Sequence, residues 1–286
     1  MARQVKVITA AEAAALIKNG DTVTTSGFVA SAIPEALDRA VEERFLATGE
    51  PRDITYVYCG SQGNKDGRGA EHFAHEGLLK RYIAGHWATV PALQKMALEN
   101  KMEAYNVSQG ALCHLFRDIA AHRPGCFTKV GLGTFIDPRN GGSSDLQLDD
   151  VTKEDIIELV NIKGQDYLFY PAFPINVALI RGTYADESGN ISFEKEVSPL
   201  EGTSVSQAVK NSGGIVVVQV EKLVKAGTLD PRLVKVPGIY VDYVVVADPK
   251  DHQQTLDCDY DPALSGEMRN PDVAPEPLPL SAKKII

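Results

Sequence analysis

Residues 19–37 read Asn-Gly-Asp-Thr-Val-Thr-Thr-Ser-Gly-Phe-Val-Ala-Ser-Ala-Ile-Pro-Glu-Ala-Leu, and they combine a strand pattern, a glycine turn and a helix start. Val23 lies between polar β-branched neighbours, which predicts a strand over residues 21–25. Gly27 then marks a tight turn, and Pro34 suits a first helical position because its φ is fixed and it has no N–H. A strand, a glycine turn and a helix N-terminus in this order predict an anion-binding pocket at the carboxyl edge of a sheet.

The rest of the chain alternates strand and helix patterns. Helices are predicted from Pro34 to Gly49, from near Pro91, and after a turn at Gln109. Residues 156–170 predict an antiparallel hairpin around a Lys-Gly-Gln turn. The other predicted strands are Ile54–Tyr58, Tyr82–Ala84, Ala104–Val107, Ala178–Thr183, Ile215–Val220 and Tyr240–Ala247. Together these patterns predict an α/β fold: a mainly parallel sheet with flanking helices and a hairpin-rich insertion near residues 135–200.

Composition excludes several classes of protein. The chain has 286 residues, of which 44% are hydrophobic, and a formal net charge of −9. The acidic balance argues against a nucleic-acid-binding surface, and no apolar run approaches the ~20 residues of a membrane span. The amino terminus has no signal-peptide pattern. Cys59, Cys113, Cys126 and Cys258 are widely spaced without a Cys-x-x-Cys motif, so a reducing, cytoplasmic setting is expected.

Four motifs resemble, in order, the signatures of the family I coenzyme A transferases. The first is carried by Asn19, Gly20, Val23, Gly27, Phe28 and Pro34. The others are Asn106–Leu112, which resembles a Pro-Gln-Gly-Thr-Leu turn, Gly131–Thr134, and Ala178–Phe193, which resembles an Ala-Leu-Val-Lys-Ala hairpin. Ser26 and Ala32 depart from the pattern, which has glycine at both positions. The resemblance spans roughly residues 5–262, and it is closest to the amino-terminal (alpha-like) half of single-chain propionate/acetate (short-chain acyl) CoA-transferases.

The resemblance implies a reaction. Such enzymes transfer CoA from a short-chain acyl-CoA to a carboxylic acid such as acetate, propionate or lactate, through a glutamyl-CoA thioester. The nucleophilic glutamate belongs to a Ser-Glu-Asn-Gly-type motif of the second half, so no catalytic residue is expected in this chain. CoA is then a substrate, and no permanently bound cofactor or metal is expected.

The resemblance also assigns binding residues to this half. Gln109 is expected to donate to a substrate or glutamate carboxylate, and Gly27 and Gly110 to allow close backbone approach. Phe28 is expected to cover the acyl group, although the core is an equally good place for its ring. Gln62 is expected to be a donor in the glycine-rich loop 60–69.

Other interpretations of these residues stay open. The loop 60–69 is either a gate, with Asn64 as a second donor and Lys65 or Arg68 near CoA phosphates, or a solvated loop. His72 and His75 are three residues apart, yet no third ligand is spaced for a metal site. Glu187 in Asp-Glu-Ser-Gly-Asn echoes a nucleophile motif, but it fits a hairpin turn better.

The organisation of the chain follows from the same comparison of motifs. Residues 1–268 are expected to form the alpha-like domain, and residues 269–286 a proline-rich linker and the truncated start of a second half. The expected partners are acyl-CoA, short-chain carboxylates and a complementary carboxy-terminal half on the same or a separate chain, within a homo-oligomer. The chain alone is expected to be inactive. Two alternatives are a non-catalytic partner half and a nicotinamide-dependent oxidoreductase with a Rossmann-like domain, although Gly131-x-Gly133 lacks the third glycine and the ribose-binding acid of a dinucleotide fingerprint. Phosphosugar isomerases of similar topology are more distant.

Overall fold

The computed structural model describes residues 4–143, 151–152 and 155–269, so the predicted linker at 270–286 lies outside the described residues. The strands are β1 Lys6–Val7, β2 Thr22–Thr25, β3 Ile54–Tyr58, β4 Leu79–Ala84, β5 Glu103–Asn106, β6 Gly125–Thr128, β7 Glu158–Ile162, β8 Gln165–Pro171, β9 Val177–Arg181, β10 Tyr184–Asp186, β11 Ile191–Ser192, β12 Ile215–Val220, β13 Lys222–Val224, β14 Val234–Val236 and β15 Tyr243–Val246. The α-helices are α1 Ala10–Ala15, α2 Glu35–Thr48, α3 Pro91–Leu98, α4 Gln109–Ala120 and α5 Gly202–Asn211. Short 3₁₀ segments occupy Gly69–Phe73, Gly238–Tyr240 and Pro249–Asp251. Within these ranges, no helix combines the length and apolar character that crossing a membrane requires.

A single parallel sheet organises the molecule. Its order is β1-β15-β12-β9-β2-β3-β4-β5, and every neighbouring pair runs parallel. The chain adds β3, β4 and β5 on one side of β2, and β9, β12 and β15 on the other. Strand order therefore reverses between β2 and β9, and open α/β sheets bind ligands beyond the carboxyl ends of strands at such a switch point.

Two small sheets supply the predicted hairpins. β7 and β8 pair antiparallel as expected, and β6 joins them in a three-stranded sheet of order β6-β8-β7. A second sheet has the order β13-β10-β11-β14, with the turn containing Glu187 between β10 and β11. The part of the fold outside the main sheet is therefore wider than residues 135–200, because it begins at β6 and includes β13 and β14 after β12.

The two apolar runs near the carboxyl end lie in the interior of the main sheet. All but the first residue of β12 are buried, and β9 beside it is buried throughout. The second run gives a shorter strand than expected, because residues 238–240 form a 3₁₀ turn before β15. Continuous apolar sequence is what a parallel strand covered on both faces requires.

Candidate active site

The loop after β2 has a backbone that glycine adopts most easily. Gly27 has φ +124°, and a Cβ there would lie 3.1 Å from the Ser31 carbonyl oxygen. Ala32 has φ +55°, in the left-handed region, at a position where the resembled pattern has glycine. The Ser26 hydroxyl donates to the Ala32 carbonyl and accepts from the Arg181 N–H, both at 2.9 Å. Ser26 and Ala32, which depart from the family pattern, are therefore compatible with this turn. The Ser26 hydroxyl links the turn to β9.

This loop is joined to the loop that follows β3. The Val29 N–H donates to the Ser61 carbonyl, and the Gly63 N–H donates to the Val29 carbonyl, each at 2.8 Å. Val29 itself has φ +55°, which is strained for a β-branched residue. Such strain persists only where surrounding bonds fix the backbone, and it concentrates at functional sites.

Phe28, Gly60 and Gln109 converge at the carboxyl edge of the sheet. A Cβ on Gly60 would lie 2.8 Å from the Phe28 ring and 3.7 Å from the Gln109 amide nitrogen. Phe28 is 39% exposed, so its ring covers this edge and does not belong to the core. Gly85, directly after β4, brings α4 close, since a Cβ there would lie 2.6 Å from Gln109 Cα and 2.5 Å from the Cys59 carbonyl oxygen. Two glycines thus make room for the ring and the amide to approach each other.

Gln109 begins α4 and is not part of a turn before it. The Ser108 side chain makes no capping bond, and the first turn holds no acidic residue. The N–H groups of that turn have no intrahelical partner and carry the positive end of the helix dipole, so they favour a negative group. A Cβ on Gly110 would meet nothing within 4 Å, so this face of the helix is open. The arrangement offers an amide donor beside an uncapped helix N-terminus.

The anion pocket predicted at the start of α2 is filled by the protein itself. Pro34 is the N-cap, and the helix begins at Glu35. The Ala36 N–H donates to Gln219 Oε1 at 2.9 Å. The buried Glu35 carboxylate accepts from the Gly69 N–H at 3.0 Å. The helix terminus that faces open space is that of α4.

Gln62 lies behind the loops and does not face the site. It is fully buried, and its Oε1 accepts from the hydroxyls of Thr25 and Tyr56. Its amide nitrogen lies 3.5 Å from the Gly27 carbonyl. The expectation of Gln62 as a substrate donor is corrected: its polar atoms hold the Gly27 turn from below.

Two polar side chains of the loop 60–69, those of Asn64 and Arg68, form hydrogen bonds within the chain. Arg68 donates to Gln253 Oε1 at 2.8 Å and to the Lys250 carbonyl at 3.3 Å, whereas Lys65 is exposed. Asn64 Oδ1 accepts from two N–H groups of its own loop. Both ends of this loop are therefore fixed, and only its tip at residues 65–67 is exposed.

His72 and His75 bind acids of α2. His72 lies 2.5 Å from Glu42 through Nδ1 and 3.0 Å from Glu35 through Nε2, and His75 Nε2 lies 2.6 Å from Glu42. Burial alone would lower the pKa of His72, but bonds to Glu35 and Glu42 outweigh it and raise that pKa to about 9. Burial, together with the charge of Glu35, raises the pKa of Asp38 well above its usual value. This acidic cluster anchors the 3₁₀ segment to α2.

Comparison with known proteins follows this geometry. The family model described as Coenzyme A transferase matches residues 7–247. The chain belongs to the coenzyme A transferase family. It is 44% identical over 282 residues to the caffeate CoA-transferase of Acetobacterium woodii, which covers 98% of this chain and 53% of that protein. It is 38% identical over 285 residues to the acetate CoA-transferase YdiF of Escherichia coli K12, covering 99% and 53% respectively.

A solved structure of this family has the same fold. The crystal structure of the acyl-CoA transferase from E. coli O157:H7 in a thioester complex with CoA matches with a TM-score of 0.88 and 37% identity, over 94% of this chain and 52% of that one. The chain therefore spans about half the length of the curated relatives that it matches. The predicted family and the alpha-like α/β fold are confirmed.

Membership of the coenzyme A transferase family argues against the alternative of a nicotinamide-dependent oxidoreductase. In this coenzyme A transferase chain, Gly131 and Gly133 follow β6, which belongs to an antiparallel sheet. A dinucleotide fingerprint instead needs a parallel strand that leads into a helix. Gly85 was not predicted as a site residue, since its only local signal is its position directly after a predicted strand.

Proposed function

We propose that the complete protein transfers CoA between a short-chain acyl-CoA and a carboxylic acid. The observation that carries the proposal is the convergence of the Phe28 ring, the Gln109 amide and the uncapped start of α4 around Gly60. It lies at the carboxyl edge of a parallel sheet, where this class of fold binds ligands. Relatives at 44% and 38% identity are named for CoA transfer to or from caffeate and acetate.

The proposed chemistry begins with a glutamate carboxylate supplied by a complementary half. It attacks the thioester carbonyl of the acyl-CoA, the C–S bond breaks, and a mixed anhydride and CoA thiolate result. The thiolate attacks the glutamyl carbonyl of the anhydride, which releases the carboxylic acid as its anion and leaves a glutamyl-CoA thioester. An incoming carboxylate then reverses the sequence and leaves as the new acyl-CoA.

In this scheme the chain supplies hydrogen-bond donors and an aromatic ring that covers the acyl group. Gln109 and the first turn of α4 donate to the oxyanion that forms at the attacked carbonyl, or to a carboxylate before attack. Phe28 lies against the acyl group and excludes water, which raises the reactivity of a carboxylate that would be a poor nucleophile in water. Gln62 acts only through the Gly27 turn. Acetate, propionate and lactate are the proposed acids, as the resemblance to short-chain acyl CoA-transferases implies, and one relative is named for acetate.

The proposal requires a partner. The complementary carboxy-terminal half is either continuous with this chain or a separate chain, and the assembled enzyme is a homo-oligomer in a reducing, cytoplasmic setting. An alternative keeps the same family but makes this chain a non-catalytic half that only binds its partner. The two differ in whether residues of this chain affect turnover.

One reconstitution experiment tests the proposal. The purified 286-residue chain is assayed for exchange of CoA between acetyl-CoA and propionate, alone and with the carboxy-terminal half of a family member. We expect no turnover from the chain alone and turnover from the pair. Turnover by the chain alone, abolished by substituting one of its own glutamates, would contradict the need for a partner. A stable but inactive pair would favour the non-catalytic alternative.

A further inference from the structure

Two thiols and a carboxylate meet beside the first turns of α4. The Sγ atoms of Cys59 and Cys113 and a carboxylate oxygen of Glu201 all lie within 4.8 Å of one another. The Cys113 thiol donates to Glu201 Oε1 at 3.0 Å. The three residues are far apart in the sequence, and regular elements hold each of them: Cys59 follows β3, Cys113 lies in α4, and Glu201 is the N-cap of α5.

Among the described residues, no cationic side chain forms a salt bridge with the carboxylate of Glu201. Its side-chain partners there are the Cys113 thiol and the Tyr58 hydroxyl, which donates to Oε2 at 3.0 Å. A partly buried negative charge without a counter-ion attracts a cation. The Tyr58 bond fixes the carboxylate from its far side, as outer partners of metal ligands do.

We propose that Cys59, Cys113 and Glu201 form a binding site for a borderline-soft divalent cation such as Zn²⁺, with three protein ligands and one open position. Two sulfurs on one tetrahedral zinc lie about 3.8 Å apart, because each Zn–S bond is about 2.3 Å long. The observed cluster therefore closes around an ion with small side-chain shifts. Two thiolates select against Mg²⁺ and Ca²⁺, which prefer oxygen ligands.

The site lies close to the proposed active site but does not depend on it. Cys113 is one helical turn beyond Gln109 on α4, and the Cys59 carbonyl borders Gly85. A bound ion would link β3, α4 and α5 at three points. Because it binds the folded chain only, it would raise the thermal unfolding midpoint.

Cobalt titration of the metal-free, reduced 286-residue chain tests the proposal without any activity assay. We expect one equivalent of Co²⁺ to give thiolate charge-transfer and tetrahedral d–d absorption, which Zn²⁺ then displaces. Cys113→Ser should abolish the charge-transfer intensity expected of two thiolates and weaken binding at least 10-fold. Glu201→Gln, which keeps both thiols, should also weaken binding at least 10-fold.

The matched control is Cys258→Ser, which removes a partly exposed thiol outside the cluster. It should leave the cobalt spectrum and affinity unchanged. Circular dichroism of each metal-free variant checks the fold, and the isosteric Glu201→Gln keeps the test decisive if Cys113→Ser unfolds. Absence of the spectrum in the unsubstituted chain, or its retention in both cluster variants, would overturn the proposal.

Discussion

Gln109 is the side chain through which this chain is proposed to act on the reaction. In the reconstituted enzyme, Gln109→Ala should lower kcat about 10- to 1000-fold, the scale for losing one oriented donor at a developing oxyanion. The fold should survive, because an exposed side chain is removed from the start of a helix. Steady-state kinetics check this, with the exposed Gln165 at the start of β8 as control: Gln165→Ala should leave kcat unchanged. Equal kinetics for both variants would make Gln109 a structural residue only.

Two glycines of the site should respond oppositely to alanine. Gly85→Ala places a Cβ 2.5–2.7 Å from backbone and side-chain atoms of Cys59 and Gln109, so it should lower the free energy of unfolding by about 1–3 kcal/mol. Gly110→Ala meets open space in a helix, so it should raise that free energy by up to about 1 kcal/mol. Urea denaturation of both variants measures the changes.

The kinetics of Gly110→Ala then separate stability from function. If the substrate contacts this face of α4, Gly110→Ala should lower turnover in the reconstituted enzyme although it makes the fold more stable. Unchanged turnover would mean that Gly110 does not border the ligand. A stable Gly85→Ala variant would contradict the close packing of α4 against the end of β4.

At the scale of elements, the pairing of α2 with the 3₁₀ segment should make stability depend on pH. The folded protein raises the pKa of His72 from 6.5 to about 9, so protonated His72 favours the folded state. This stabilisation is complete below pH about 6.5 and is lost as pH rises through about 9. The full contribution of protonated His72 to the free energy of unfolding is on the order of 3 kcal/mol. Denaturation midpoints should therefore fall as pH rises from 6 to 10.

His72→Gln isolates this effect. Its loss of stability relative to the unsubstituted chain should be largest near pH 6 and should shrink toward pH 10, because the protonated His72 that the substitution removes becomes neutral over this range. His114→Gln, on the exposed side of α4, is the matched control and should show no such trend. A constant difference across this pH range would mean that folding leaves the pKa of His72 unchanged.

The elements themselves were largely predictable from residue patterns. The strand before Ser26, the stop of α2 at Gly49 with φ +72° and the β7–β8 hairpin follow local rules for β-branched residues, glycine and turns. Boundaries shifted where neighbours compete for the backbone. Pro34 is a cap and Gln109 belongs to α4, because a helix starts at the first carbonyl that accepts from an N–H four residues later, and the Pro34 and Ser108 carbonyls accept from the N–H groups of Asp38 and Leu112.

At the scale of the whole molecule, the described residues leave large apolar side chains exposed on one face of the three-stranded sheet. Phe127 stacks on Phe169 with centroids 4.3 Å apart, and the strand register places Ile162 on the same face. Phe127 is 44% exposed and Ile162 41%. The apolar runs 215–220 and 240–247, which were expected in the core, lie in the main sheet and do not contribute to this face.

This face should make the 286-residue chain self-associate. Light scattering at rising concentration should show dimers or larger species, since exposed contiguous apolar patches drive association, and the −9 charge opposes it only weakly. Phe127→Glu should return the chain to a monomer. Leu98→Glu replaces an apolar side chain at the end of α3, 72% exposed, and should change nothing. If light scattering shows that the unsubstituted chain stays a monomer at high concentration, this sheet face does not drive self-association.

The sequence by itself determined the family, the alternation of strands and helices, and the glycine turn at Gly27, because each depends on residues close together in the chain. The tertiary structure alone decided which of the named residues face the site. The hydroxyls of Thr25 and Tyr56 bind the Gln62 amide in the interior. Gly60 and Gly85 leave room for Phe28 and Gln109 to approach each other. The packing of the elements brings Cys59, Cys113 and Glu201 together. Contacts of this kind join distant segments, so no local pattern records them; only the packing of the sheet does.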